Sequence, residues 1–258
     1  MNKKNWLPYL NTAAIIVTII FNILANALPL NGLNTGEISD RFRVYFVPAG
    51  YVFSIWGLIY LSWLGFGYYQ LLPAQRDNPR LKRIGYWFAF SCAANIAWLF
   101  TWHYELFLLT VPVMLVLLAL LIVIYLRLQI GKVQVAPLER WCLDVPFSLY
   151  LGWITVATIA NVTSWLYYLK WNGWGISPEA WTLIMLLAAV GIASAVSLTR
   201  GDIAYMLVII WALAGIAIKH AGVPVVAIGA WVATALVAVM LVVGAMRARR
   251  GPAPGPAR

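Results

Sequence analysis

Aromatic and amide side chains recur at helical spacing in three apolar stretches of this chain. Asn95 and Trp98 stand three apart, Trp153, Ala157 and Asn161 stand four apart, and Phe53, Trp56 and Tyr60 stand at three and four. Each set falls on one face of a helix. An amide beside an indole or phenol on several helices can line an aromatic cavity with a few directional hydrogen bonds. Flat apolar ligands with polar edges suit such a cavity. The same pattern also serves plain packing, with amides tying helices together and aromatics filling the core or an interfacial belt. The spacing alone leaves both readings open.

Tryptophan is frequent, 14 residues in 258. Trp6, Trp102, Trp171 and Trp174 fall at the ends of apolar runs, where indoles form interfacial belts. Trp56, Trp98 and Trp153 lie deeper and need another reason. Other chemistries have little support. The acids Glu37, Asp40, Asp77, Glu105, Glu139, Asp144, Glu179 and Asp202 all fall at or near the ends of apolar runs, so none sits mid-membrane as a proton relay needs. Asp144, two before Pro146, reads as a helix N-cap, and Glu179 and Asp202 as first-turn acids. No nucleophile–base pair, phosphate-binding glycine loop or mid-helix lysine occurs. Cys92 and Cys142 read as free thiols, without metal-ligand spacing. His103 and His220 fall at helix ends, with nothing placing them face to face.

The elements that carry these residues follow from composition. Hydrophobic residues make up 63% of the chain and charged residues 10%, and mean hydropathy is +0.84. Soluble domains carry about 45–50% apolar and about 25% charged residues. Lipid must therefore solvate much of the surface, and continuous apolar runs select helices over a barrel. We place eight spans at Leu7–Leu30, Pro48–Leu72, Ile84–Trp102, Leu106–Leu126, Val145–Leu169, Ala180–Leu198, Ile203–Ile218 and Val223–Met246. The seventh is short and is expected to continue through Lys219, whose amine can reach the headgroups. The fold class is an all-α polytopic membrane protein.

The net charge of +10 is a topology signal rather than a nucleic-acid footprint. Lys3, Lys4, Arg76, Arg80, Lys82, Arg83, Arg127, Lys132, Arg140, Arg200, Arg247, Arg249, Arg250 and Arg258 fall on one side, and Arg41, Arg43, Lys170 and Lys219 on the other. The positive-inside rule then puts both termini in the cytoplasm of a cell whose inner membrane holds the chain, with anionic lipid as partner. Lys3, Lys4 and Ala25-Asn26-Ala27 resemble a secretory signal with its cleavage site, but the run is long for one. The connection Asn31–Val47 is long and mixes glycines with charges and aromatics, the make-up of a binding loop or an interfacial connector. Beyond Trp174–Ser177 the composition shifts from Trp, Tyr, Asn and Phe to Ala, Val, Ile, Leu and Gly. This divides the chain into a five-helix bundle over 1–172, a three-helix extension over 173–248 and a Pro/Gly-rich tail over 249–258, expected to be disordered.

The run from Val47 to Tyr60, with Pro48 and Gly50 before Tyr51-Val52-Phe53, then Trp56 and Tyr60, resembles the second-helix signature of the tryptophan-rich sensory protein (TspO)/translocator protein family, also known as the peripheral benzodiazepine receptor family. Asn95 and Trp98 resemble its third-helix Asn-x-x-Trp, and Trp153, Ala157 and Asn161 match its fifth-helix Trp, Ala and Asn. The resemblance covers roughly residues 1–170. It departs at Ile55, where the family has Pro with one more residue after the Phe, and at Pro146, which lies further from Trp153 than the family spacing. The three last helices have no counterpart in the five-helix proteins. The resemblance implies a pocket for a tetrapyrrole, protoporphyrin IX or haem, or for a sterol-like lipid, covered by the loop after the first helix. It implies a sensor, regulator or carrier, with light-dependent porphyrin breakdown as the one enzymatic activity in view, and it admits a homodimer. Phe53, Trp56, Tyr60, Asn95, Trp98, Trp153, Ala157 and Asn161 would line the pocket, and Arg41 and Arg43 would meet propionates at its mouth or lipid headgroups. A lipid or metabolite transporter, or a structural subunit joined through the last three helices, are the competing readings.

Overall fold

The computed structural model describes residues 6–28 and 30–249. Beyond Arg249, the expected tail lies outside them. Among the described residues the elements are α1 (Leu7–Ala27), α2 (Thr35–Asp40), α3 (Ile55–Leu71), α4 (Pro79–Ile84), α5 (Trp87–His103), α6 (Phe107–Arg127), α7 (Pro137–Glu139), α8 (Val145–Tyr168), α9 (Pro178–Arg200), α10 (Ile203–Lys219) and α11 (Pro224–Arg249), with no strand. Six apolar segments are long enough to cross a membrane: Leu7–Ala27, Gly50–Leu71, Phe107–Arg127, Pro137–Tyr168, Pro178–Arg200 and Pro224–Ala248. The helices α5 and α10, of 17 residues each, complete the bundle. At 1.5 Å per residue, 17 residues reach about 26 Å, near the ~30 Å of a bilayer core. Large apolar side chains such as Leu61, Leu108, Leu187 and Ile228 are more than half exposed, a surface that needs lipid. The protein is a multi-pass, all-helical membrane protein.

Sequence chemistry sets the helix limits. Asn78 accepts the Arg80 N–H at 2.9 Å and so starts α4, Ser177 accepts the Ala180 N–H at 3.2 Å to start α9, and Asp202 accepts the Tyr205 N–H at 3.1 Å to start α10. Gly201, in the left-handed conformation at φ 61°, ends α9 and lets the chain reverse over two residues into α10. The seventh span does run through Lys219 as its snorkelling amine suggested.

The fifth span starts earlier than its sequence suggests. A π turn at Arg140–Asp144 joins α7 to α8, so Asp144 lies inside continuous helix and caps nothing. Its carboxylate instead meets Arg80 at 2.6 Å, and Arg80 also meets Glu139 at 2.9 Å and the Leu128 carbonyl at 2.7 Å. The aspartate thus serves, with Glu139, as the partner of Arg80, which is only 8% exposed and would otherwise be a buried charge without a counter-ion.

Helix α1 packs against α3 and α5, α6 joins α5 to α8, and α10 lies against α8 while α9 and α11 close around it. Close contacts rest on small residues. A Cβ on Gly152 would crowd Val208 of α10, and one on Gly244 would overlap Ser197 of α9, whose hydroxyl donates to the Met240 carbonyl at 2.5 Å. The largest core cluster runs without a break from Ile15 of α1 to Val237 of α11.

Candidate functional site

One end of the bundle, which carries the connection from α1 to α3, holds a cavity of about 700 Å³. Phe53, Trp56 and Tyr60 form one wall and Trp98 of α5 another. Asn22 and Asn26 of α1 and Asn34, Thr35, Glu37 and Asp40 of the connection form the polar side. A second space of about 50 Å³ adjoins it, bounded by Phe53, Trp98, Trp102, Trp153, Ala157 and Asn161. Phe53 and Trp98 face both.

The rings are held by each other. Residues Gly50–Ser54 form a tight 3-10 turn before α3, which brings Phe53 edge-on to Trp153 at 5.6 Å. Trp56 stacks on Tyr60 at 5.6 Å and meets Trp153 edge-on at 6.3 Å, while Trp98 stacks on Trp102 at 5.4 Å. These are favourable offset-stacked and T-shaped separations. Without the family proline at Ile55, the entry turn is fastened from α10: the Trp211 Nε1–H donates to the Val52 carbonyl at 3.0 Å, and the Ala49 N–H donates to Gly215 at 3.2 Å.

The amides behind the rings are fully engaged. Trp98 Nε1–H donates to Asn161 Oδ1 at 3.0 Å, and Asn161 Nδ2–H donates to Thr110 Oγ1 at 2.8 Å. Asn22 Nδ2–H donates to Asn95 Oδ1 at 2.9 Å, and Asn95 Nδ2–H to the Tyr150 hydroxyl at 3.1 Å. Two chains of hydrogen bonds thus cross from α5 to α6 and α8, and from α1 through α5 to α8. The two sequence readings merge here: the amides tie the helices, and by doing so they fix the indole that walls the cavity. Asn95, 1% exposed, lines neither space and acts from behind.

The connection over the cavity is ordered rather than loose. Helix α2 opens with a reciprocal cap in which Asn34 Oδ1 accepts the Glu37 N–H at 2.9 Å and Glu37 Oε2 accepts the Asn34 N–H at 2.7 Å. Phe42 packs edge-on against Phe107 at 5.0 Å. The last three helices hold the rest: Lys219 Nζ meets Asp40 at 2.6 Å, the Tyr45 hydroxyl donates to Glu179 at 3.1 Å, and His220 Nε2 reaches the Val47 carbonyl at 3.3 Å. Accepting that proton, the Glu179 carboxylate holds the Tyr45 phenol above its usual pKa. Arg41 pairs with Glu105, Arg43 is exposed, and neither lines either space.

Asn22, Asn26, Thr35, Glu37, Asp40, Thr110 and Tyr150 escaped the sequence reading. A signal existed for α1, where the buried residues Asn11, Thr18 and Asn22 repeat at seven and four in an otherwise apolar run. None existed for Tyr150 and Thr110, whose roles depend on which helix faces which.

The walls fit a flat ring by stacking. They do not fit axial ligation of a haem iron. His103 is fully buried with Nδ1 against the Leu99 carbonyl at 2.9 Å, His220 bonds to Val47, and neither faces the cavity.

An all-helical membrane bundle around a buried aromatic cluster, with an ordered loop over one end, is the architecture of a membrane ligand-binding protein. The chain belongs to the TSPO-like protein family, which it matches over residues 8–243, a stretch reaching from α1 into α11. No curated protein and no solved structure matches the chain.

Proposed function

We propose that this protein binds a flat, mainly apolar molecule between the rings of Trp56, Tyr60 and Trp98, and acts on that occupancy as a sensor or carrier in the membrane. The observation that supports it most is the cavity of about 700 Å³ lined by four aromatic side chains, a size within the ~300–1,000 Å³ of small-molecule sites. The family supplies the first compounds to try, porphyrins and sterol-like lipids. The residues facing a ligand are Phe53, Trp56, Tyr60 and Trp98, with Trp153, Ala157 and Asn161 lining the smaller space beneath and Asn95 positioning from behind. Both termini are proposed to be cytoplasmic on the charge distribution, which a reporter fused at Arg258 would test.

Titration of the purified protein in lipid nanodiscs, followed by Trp quenching, tests the binding reading. Saturable binding of at least one member of a porphyrin and sterol panel is expected, weakened about tenfold by Trp56→Ala without loss of the folded bundle. A Cβ on Gly50 meets open space, so Gly50→Leu should fill the cavity and weaken binding while sparing the fold. Partition identical to empty nanodiscs, unchanged in both variants, would remove the assignment.

A further inference from the structure

We propose that the ligand of this cavity carries a cationic amine on its apolar body, and that the cavity discriminates against carboxylate-bearing ligands. This rests on the cavity being a ligand site, as argued above, and concerns only what it selects.

No Lys, Arg or His lines the cavity, while two carboxylates do, Glu37 and Asp40. The basic side chains of this region stay out of the lining: Arg41 pairs with Glu105, Lys219 pairs with Asp40, and Arg43 is exposed. Asp40 is thereby neutralised. Glu37 is not, since its one hydrogen bond is from the Asn34 backbone and no basic group pairs with it among the described residues. Among the neutral acceptors of the wall, Asn26 Oδ1 takes the Thr35 N–H at 3.3 Å and Asn34 Oδ1 takes the Glu37 N–H at 2.9 Å. The carboxylates are the charged acceptors of the lining, and their oxygens take several donors each.

The aromatic walls push the same way. The face of an indole or phenol ring is electronegative and attracts a cation within about 6 Å of its centre. Trp56, Tyr60 and Trp98 share the cavity lining with Glu37, an exposed carboxylate at its polar side, so ring faces and carboxylate favour the same sign of charge. A propionate or other carboxylate would face Glu37 and the ring faces with no counter-ion. The mouth is thus opposite in sign to what Arg41 and Arg43 suggested from the sequence.

The test uses three steroids that share one ring system and differ at one carbon, where they carry an alcohol, an amine or a hemisuccinate. Each displaces a fluorescent sterol from the full-length protein in uncharged phosphatidylcholine nanodiscs. The amine should displace most tightly, about fivefold better than the alcohol, and the hemisuccinate least tightly. Glu37→Gln, whose amide oxygen can still accept the Asn34 N–H, should reduce the amine's advantage over the alcohol to about twofold or less. Tightest binding by the hemisuccinate, or an amine preference untouched by Glu37→Gln, overturns the proposal while the cavity remains a ligand site. A fluorescent sterol that never saturates the protein overturns this inference and leaves the site itself to the porphyrin titration above.

Discussion

Both ends of the bundle bury polar side chains, and they do so to different ends. Away from the cavity, Arg80 reaches Asp144 at 2.6 Å, Glu139 at 2.9 Å and the Leu128 carbonyl, while Asp202 accepts from Ser148 at 2.6 Å, from Tyr125 at 2.8 Å and from the Tyr205 N–H. Both of these buried groups are satisfied by several partners each. At the loop end the amides are equally satisfied, yet they hold rings around empty space and leave the Glu37 carboxylate without a counter-charge. A closed network fastens helices; an open one with satisfied supports and unsatisfied walls is built for a visitor. If that contrast holds, substitutions at the closed end should cost stability and spare binding, and those at the open end should do the reverse.

The largest effect belongs to Arg80→Leu. It strands Asp144 and Glu139 near an apolar core, and breaking one side of a buried pair costs about 3–5 kcal/mol. Thermal unfolding in mild detergent should show the loss, while sterol affinity of the folded fraction stays unchanged. The double variant Arg80→Leu with Asp144→Leu should recover part of it, because the unpaired charge is gone. A drop in affinity without a drop in stability would erase the distinction between the ends.

Asp202→Ala comes next. It removes the acceptor for two hydroxyls and the N-cap of α10 in one step, an expected cost of about 2–3 kcal/mol. Because α10 holds Val52 through Trp211 and Ala49 through Gly215, this variant also sharpens the comparison. Binding that falls together with stability would mean that α10 transmits disorder to the entry turn before α3.

How far these roles were readable in the chain differs between the two ends. Periodicity was enough to place Trp56 with Tyr60, and Trp153 with Ala157 and Asn161, each on one helix face, because helical spacing is a local property. It did not say that the faces meet, and Phe53 falls in the 3-10 turn before α3 rather than on the helix. The eight apolar runs were equally plain, but their limits were not. Helix α1 stops at Ala27 rather than Leu30, α3 starts at Ile55 rather than Pro48, α5 starts at Trp87 rather than Ile84, and the fifth run begins early because a π turn through Arg140–Asp144 leaves no compositional mark. Partner choice was not legible. Nothing local in Asp144 distinguishes an N-cap from an ion pair with Arg80, 64 positions away. The hold of Lys219 on Asp40, 179 positions apart, was equally hidden. The partner of Arg41 was hidden for the same reason: charge near a mouth says little until Glu105 is known to claim it.

At the open end, Trp98→Phe keeps a ring in the wall but removes the donor to Asn161 Oδ1. Interhelical hydrogen bonds in membranes are worth about 0.6 kcal/mol on average, up to about 2. A stability loss of about 1 kcal/mol is expected, with weakened binding because the ring is free to turn. Affinity equal to the parent protein would show that Trp98 serves the helix contact alone.

The smallest effect tests whether the last three helices hold the loop through His220. This imidazole, partly buried beside Tyr45 with its Nε2 on the Val47 carbonyl, has its pKa lowered, mainly by burial, with Lys219 adding to the effect and the carbonyl bonds opposing it. The folded protein thus favours the neutral ring, whereas the unfolded chain takes its proton near the ordinary 6.5. As pH falls through that value the unfolded state binds more protons, so stability is fully present above it and declines below it. Unfolding of the parent protein should become easier on the acid side, and His220→Gln should flatten that slope by removing this one titration. The difference between the two profiles isolates His220 from other groups. Parallel profiles would mean that its proton does not matter to the clasp, leaving Lys219–Asp40 and Tyr45–Glu179 as the contacts by which the last helices keep the loop over the cavity.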